Sequence, residues 1–320
     1  MGTMRSTSPG PRALRPDGDG DAMMAKEQGG NAAARRFPSR GGRELTLDPA
    51  QPLVMGIVNL TPDSFSDGGR FAGPEAAVKA ALALEADGAS ILDLGAESTR
   101  PGSDYVSSDE ELRRLLPVLK ALRPRTQAAL SIDTRKAKVA QACLELGADW
   151  VNDVSGLRSD PELAAVLRDF DCPLVLMHMR GDPKTMQDSP SYEDVLSEVR
   201  AELGQRLEVA LAAGIDQRRV ILDPGLGFAK RYEDNLELLR GLAALHSLGC
   251  PILLGASRKS FLGRALGGES SPPPPAERDI ATLASIAIGH RAGVAVHRVH
   301  QVRYASEFLR TLVALEGHKH

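Results

Sequence analysis

The chain has 320 residues, 42% of them hydrophobic and 25% charged, with 31 glycines and 21 prolines, a balance that excludes a collagen, a coiled coil and a fully disordered chain. A net charge of −3 gives no bulk attraction to nucleic acid or an anionic membrane, and 4% aromatics are too few for base-stacking platforms. No apolar run reaches the roughly 18 residues of a spanning helix.

Residues 1–43 are rich in Gly, Pro, Arg and Ala and poor in branched aliphatics. Such a segment buries too little surface to offset its ordering entropy, so it reads as a disordered tail. It lacks the apolar stretch of a secretory leader, and Asp17, Asp19 and Asp21 do not suit an organellar one. Residues 44–320 read as one domain. ELTL (44–47) predicts a short strand closing one end of it. Strands follow at 52–60, 90–95, 128–134, 149–155, 173–179, 219–225, 251–257 and 294–302, each a β-branched run apolar on both faces. Helical stretches alternate with them at 74–87, 107–122, 135–146, 161–169, 191–213, 232–244, 277–292 and 303–316.

Local signals agree with these limits. Pro74 and Pro161 stand at helix starts, Gly88, Gly147 and Gly214 just past helix ends, and Ser107 and Thr134 are candidate caps. GGESSPPPPAE (267–277) reads as an exposed loop between the seventh strand and its helix, stiffened by Pro272–Pro275. Eight consecutive β-α units predict an α/β fold, a single (β/α)8 TIM barrel, with a doubly wound open sheet as the alternative. Cys143, Cys172 and Cys250 have no metal-ligand spacing and read as buried core residues, which suits a reducing, cytoplasmic setting.

In this fold the chemistry lies at the C-terminal ends of the strands. The residues there are Asn59, Asp93, Asp133, Asn152, His178, Asp223, Lys259 and His300. One such residue is ordinary turn or cap chemistry, but eight of eight point to a binding bowl. Acceptors from Asp133, Asn152 and Asp223 beside the Lys259 donor complement an amino-pyrimidinone edge, so a pterin or a purine fits better than a sugar. The loop NLTPDSFSDGG (59–69) offers oxygen ligands of the kind Mg²⁺ takes, and Arg100 in ESTRPGS (97–103) can fork onto a phosphate. Arg298 lies in an apolar strand, where an unpaired charge is expensive and a partner is required. There is no Walker A sequence, no H-E-x-x-H, no C-x-x-C and no nucleophile elbow.

GIVNLTPDSFSDGG, ESTRPG, SIDT, VNDVSG, DPGLGFAK, GASRKS and RVH occur in that order, and with them residues 51–316 resemble the dihydropteroate synthase family of pterin-binding enzymes. The resemblance implies a (β/α)8 homodimer that is a transferase of folate biosynthesis. Its small-molecule substrates would be (7,8-dihydropterin-6-yl)methyl diphosphate and 4-aminobenzoate, its products 7,8-dihydropteroate and pyrophosphate, and sulfonamides would mimic the aminobenzoate. It further implies pterin binding by Asp93, Asp133, Asn152, Met177, Asp223, Phe228 and Lys259. Phe65, Thr99, Arg100, Pro101, Ser260, Arg298 and His300 would serve the diphosphate and aminobenzoate, and Asn59 would be a ligand of Mg²⁺. Three positions depart from the family pattern. Ala96 and Ala229 stand where glycine is usual, which matters if the backbone there needs positive φ, and Gln301 stands where aspartate is usual.

Overall fold

The computed structural model describes residues 1–2, 34–37, 44–61, 73–98, 103–182, 184–188 and 190–317. The chain divides into Met1–Gly30, of which only the first two residues are described, and Asn31–His320, which holds the barrel. Phe65, Thr99, Arg100, Pro101 and most of the predicted tail lie outside the described residues.

Eight parallel strands make the central sheet. They are β3 (Leu53–Asn59), β4 (Ile91–Gly95), β5 (Ala129–Asp133), β6 (Trp150–Asp153), β7 (Leu174–Met177), β8 (Val220–Asp223), β9 (Leu253–Leu254) and β10 (Val296–Val299), in the order β8-β7-β6-β5-β4-β3-β10-β9. The two outer strands of that order then meet. Leu222 and Ile252 form a parallel bridge, and the Leu222 N–H donates to the Pro251 carbonyl at 2.9 Å. The sheet thus closes into a barrel, as the eight β-α units predict, and the open-sheet alternative falls away.

The helices match the alternation. They are α1 (Pro74–Ala86), α2 (Ser108–Leu122), α3 (Ala137–Glu145), α4 (Leu163–Phe170), α5 (Val195–Ala212), α6 (Tyr232–Arg240), α7 (Ser260–Gly267), α8 (Asp279–Arg291) and α9 (Val302–Leu315). Pro74 opens α1, and Gly88 takes φ +110° just beyond it, a conformation a side chain would strain. Ser107 caps α2 through the Glu110 N–H. Thr134 does not cap α3: Lys136 holds that position, and the Ala137 N–H is taken by Asp160 Oδ2 at 2.8 Å, so the helix start is tied to the next β-α loop. The helix α7 is absent from the sequence expectation, which ran a loop from the seventh strand to α8.

The period of two along each strand sorts the residues into two cores. Outward-facing Leu92, Leu94, Leu130, Ile132, Val151, Leu174, Leu176 and Leu222 pack under the helices. Inward-facing Met55, Ile91, Ala129, Trp150, Val175, Ile221, Leu253 and Val296 fill the barrel at the N-terminal ends of its strands. Two residues further along, the same inward register reaches Asp93, Ser131, Asn152, Met177, Asp223 and Arg298, so the polar layer stands directly on the apolar plug.

The tail boundary at residue 43 needs correction. β1 (Arg35–Phe37) pairs antiparallel with β2 (Leu45–Leu47), the short strand expected at 44–47. Phe37 is 1% exposed and joins the inner core, its ring centroid 5.5 Å from that of Trp150. Arg35 Nη1 donates to the Gln217 carbonyl at 3.0 Å, fastening the ribbon to the strand ends. One large apolar side chain after two arginines is a weak strand signal, and its partner Trp150 is 113 positions away. The three cysteines are buried and none is in a disulfide, as expected.

Candidate active site

The barrel brings the ends of six strands to one polar floor. Asp93 on β4 is fully buried, and its Oδ2 accepts from Arg298 Nε of β10 at 2.7 Å and from Asn152 Nδ2 of β6 at 3.0 Å. Arg298 Nη2 donates to Asp133 Oδ2 of β5 at 2.8 Å. One guanidinium therefore spans two carboxylates across the barrel interior, which meets the requirement that this charge have partners. It also means that Arg298, expected at the diphosphate, already has two of its nitrogens engaged by acids. Burial pushes the Asp133 carboxyl upward against the opposing pull of Arg298, and neighbouring Asp93 adds to the rise. Asp93 Oδ1 is buried and lacks a hydrogen-bond partner among the described residues. A buried carboxylate oxygen is costly in that condition, and a ligand N–H is what would satisfy it.

Asp223 and Lys259 form the opposite wall. Asp223 Oδ1 accepts from the Gly225 N–H at 2.7 Å, and burial raises its pKa against the charge of Lys259. Beside it, Gly255 leaves room for the carboxylate: a Cβ there would stand 3.6 Å from Oδ2. Lys259 donates to the Leu226 carbonyl and lies 4.3 Å from the Phe228 ring centroid, a cation–π distance. Burial lowers its ammonium to about 8 while Asp223 holds it up. Met177 packs with Val154, Met179, Met186 and Ala229, and Phe228 covers that cluster. Asp93, Asp133, Asn152, Met177, Asp223, Phe228 and Lys259, the residues expected to bind pterin, thus occupy the ends of β4 to β9 and the loops just beyond.

The other expected residues are less gathered. His300, just past β10, shares its Nδ1 with Ser257 Oγ at 3.0 Å and donates its own N–H to the same oxygen at 3.2 Å. Ser257 went unassigned in the sequence because a single serine at the end of a strand carries little signal. Asn59 ends β3 and is half-buried. Ser260 opens α7 and is exposed. Among the described residues, no group of three His, Cys, Asp or Glu is placed to hold a metal.

Two buried networks behind the site were also unforeseen. Glu97, first residue of the 97–103 loop, pairs with Arg135 at 3.0 Å and Lys136 at 2.7 Å, and Lys136 reaches the buried Glu111 of α2 at 2.6 Å. On the far side, Lys230 meets His178 at 2.9 Å, and His178 meets Glu202 of α5 at 3.0 Å. Of the three departures from the family pattern, Ala229 does take positive φ, +48°, whereas Ala96 is not among the residues that do. Gln301 occupies the N-cap of α9 without a side-chain cap bond.

Buried carboxylates, an amide and a lysine form a bowl at the strand ends of a closed (β/α)8 barrel. The family model described as "Pterin binding enzyme" matches residues 55–300. The dihydropteroate synthase of Synechocystis is 44% identical over 262 residues, 82% of this chain and 89% of that protein. Among solved structures, Xanthomonas albilineans dihydropteroate synthase with 4-aminobenzoic acid superimposes with a TM-score of 0.82 at 43% identity, covering 89% of this chain and all of that one. The Yersinia pestis dihydropteroate synthase in complex with a sulfonamide drug gives 0.80 at 40% identity over 88% and 99%. The chain belongs to the pterin-binding enzyme family and, within it, to the dihydropteroate synthases.

Proposed function

We propose that this transferase joins (7,8-dihydropterin-6-yl)methyl diphosphate to 4-aminobenzoate and releases 7,8-dihydropteroate and pyrophosphate. The observation that carries the reading is the buried Asp93 carboxylate, held on one oxygen by Arg298 and Asn152 and unsatisfied on the other, across from Asp223 and Lys259. The pterin ring would lie between them. Asp223 accepts ring and exocyclic N–H groups, Lys259 donates to ring acceptors, and Met177 and Phe228 cover the faces.

The reaction is a dissociative displacement. The C–O bond to the diphosphate breaks, with its electron pair leaving on the diphosphate oxygen. The methylene cation delocalises into the pterin, where the Asp133 and Asp93 carboxylates favour positive charge. The arylamine nitrogen then bonds to the methylene carbon and sheds its proton to water. His300, positioned by Ser257, and the remaining Nη1 of Arg298 stabilise the leaving diphosphate. Phe65, Thr99, Arg100, Pro101 and Ser260 serve the aminobenzoate and diphosphate end.

Mg²⁺ would sit at Asn59. Its donor set suits that ion, because Mg²⁺ keeps most of its waters and takes one or two protein oxygens together with substrate phosphates. When bound, it supplies positive charge to the diphosphate. A homodimer would cover the exposed stripe Ile280, Ala284 and Ile288 of α8, a helix with no wholly polar side, with Tyr304 of α9 also exposed nearby in the chain. A reducing cytoplasm accords with three buried thiols that form no disulfide, and sulfonamides would compete with the aminobenzoate. Pyrophosphate release, measured with both substrates and Mg²⁺, tests the reading. Release matched by 7,8-dihydropteroate formation when both substrates are present supports it. Pyrophosphate release unaccompanied by dihydropteroate when both substrates are present, or none with both, refutes it.

A further inference from the structure

Lys230 stands outside the bowl and takes no part in the displacement, yet its surroundings are unusually specified. It is 3% exposed, at the end of the loop joining β8 to α6. Its Nζ lies 3.0 Å from the Gly225 carbonyl, 3.0 Å from the Phe228 carbonyl and 2.9 Å from His178 Nδ1. An ammonium has three protons and no acceptor, so these three contacts use every donor it has.

The proton inventory then fixes the histidine. Nδ1 must accept, so Nε2 carries the hydrogen and donates to Glu202 Oε2 at 3.0 Å. Burial, with the charge of Lys230, keeps the imidazole neutral by lowering it to about 4. Glu202 is held ionised at about 2 chiefly by that histidine bond, with Arg180 as a second donor at 2.9 Å. A negative charge on α5 is thereby coupled through one imidazole to a cation under the binding loop.

That loop turns back on itself, the Phe228 N–H donating to the Gly225 carbonyl at 3.1 Å, and is tied to α6 where the Gly227 N–H donates to Asn235 Oδ1 at 2.6 Å. Gly225, Gly227 and Ala229 take φ +66°, +79° and +48°. A Cβ at Gly225 would fall 1.9 Å from the His178 carbonyl oxygen, so loop and histidine are pressed back to back. The loop carries the Phe228 ring and the Leu226 carbonyl, both of which contact Lys259.

We propose that Lys230, charge-balanced through His178 by Glu202, is a positioning residue that sets affinity for the pterin by holding the Gly225–Ala229 loop against Lys259. The proposal rests on the dihydropteroate synthase reading of the same bowl. The groups facing this network are Asp223 on β8, Lys259 beyond β9, Asp234 on α6 and Arg180 beyond β7, with Arg158 and Tyr192 facing His178. Burial lowers the Lys230 ammonium to about 7, Lys259 lowers it further, and Asp223 and Glu202 oppose the fall. Loss of its proton removes one of three donors and loosens the loop. Removing the Glu202 charge makes that loss easier, whereas the charges acting on Lys259 are Asp223, Arg298 and Asp133.

The test uses the full-length enzyme with both substrates, after wild-type activity has been measured, so that failure of the functional reading shows separately. Lys230→Met should raise KM for the pterin diphosphate at least tenfold, with kcat and KM for 4-aminobenzoate within about twofold. Glu202→Gln, which preserves shape, should move the alkaline limb of kcat/KM for the pterin diphosphate to lower pH by half a unit or more. If Lys230→Met alters kcat and both KM values alike, or none of them, the positioning role is overturned. If Lys230→Met does not fold, the Glu202→Gln profile decides alone, and a profile superimposable on wild type overturns the coupling.

Discussion

Replacing Phe37 by alanine tests whether residues before the barrel belong to its core. The ring is 1% exposed and tilted 46° against Trp150, which is itself fully buried. Truncating a buried phenylalanine typically costs about 3–5 kcal/mol. The low end applies here, because the ring closes the end of the barrel and water can fill the space it leaves. For a domain of this size each kcal/mol lowers Tm by about 2–4 °C, so a loss of about 3 kcal/mol predicts a fall of roughly 6–12 °C. Trp150 is the only tryptophan in the chain, so its emission reports the event directly and should shift to the red at temperatures where the barrel is still folded. Calorimetry and tryptophan fluorescence on the same sample measure both. A fall below about 2 °C with an unmoved emission maximum would refute the inner-core assignment of β1.

Asp223→Ala should weaken calorimetric binding of a pterin at least a hundredfold while the barrel still folds, since two charge-assisted bonds of about 1.5–3 kcal/mol each would be lost; unchanged affinity would remove Asp223 from the site. Arg298→Ala should cost about 3 kcal/mol in urea unfolding, because Asp93 and Asp133 then lose the cation that spans them; a change under about 1 kcal/mol would contradict that coupling. Asn59→Ala should slow pyrophosphate release and recover partly as Mg²⁺ is raised, whereas a rate indifferent to Mg²⁺ would exclude the metal role. His297 is fully buried, with both ring nitrogens lacking hydrogen-bond partners among the described residues, and burial lowers it to about 3. The unfolded chain takes up that proton first as pH falls below about 6.5, so stability should decline toward acid by up to about 1.4 kcal/mol per pH unit. His297→Leu should flatten part of that slope in urea titrations between pH 6 and pH 4, and an unaltered slope would show that His297 does not contribute.

What the sequence made legible was whatever repeats or alternates. Each β-α unit announces itself by a β-branched run and a helical period, and the strand-end register carried Asp93, Asp133, Asn152 and Asp223 to one floor. The cost of an unpaired Arg298 in an apolar strand correctly demanded partners. Which partners they are depends on closure of the barrel, and no local pattern in the chain encodes the distance from residue 298 to 93. Lys230 and Glu202 escaped for a similar reason: each is an ordinary charged residue until folding buries the one and sets the other against His178. Helix α7 was missed because SFLGRALG is short and contains two glycines, and β1 because it has one apolar residue of three.

The bridge from Arg298 to Asp93 and Asp133 joins positions 205 and 165 residues apart. A chain emerging from the ribosome presents both acids long before the residue that neutralises them. Until β10 arrives, the half-built barrel carries two carboxylates without the guanidinium that spans them, with only Lys259, already facing Asp223, to offset their charge, and they stay wet or protonated. Nascent chains stalled short of residue 298 are therefore open, hydrated and without a binding floor. The last strand both completes the ladder and permits the barrel's centre to dry, so the final tenth of synthesis turns an accumulating α/β sheet into an enzyme.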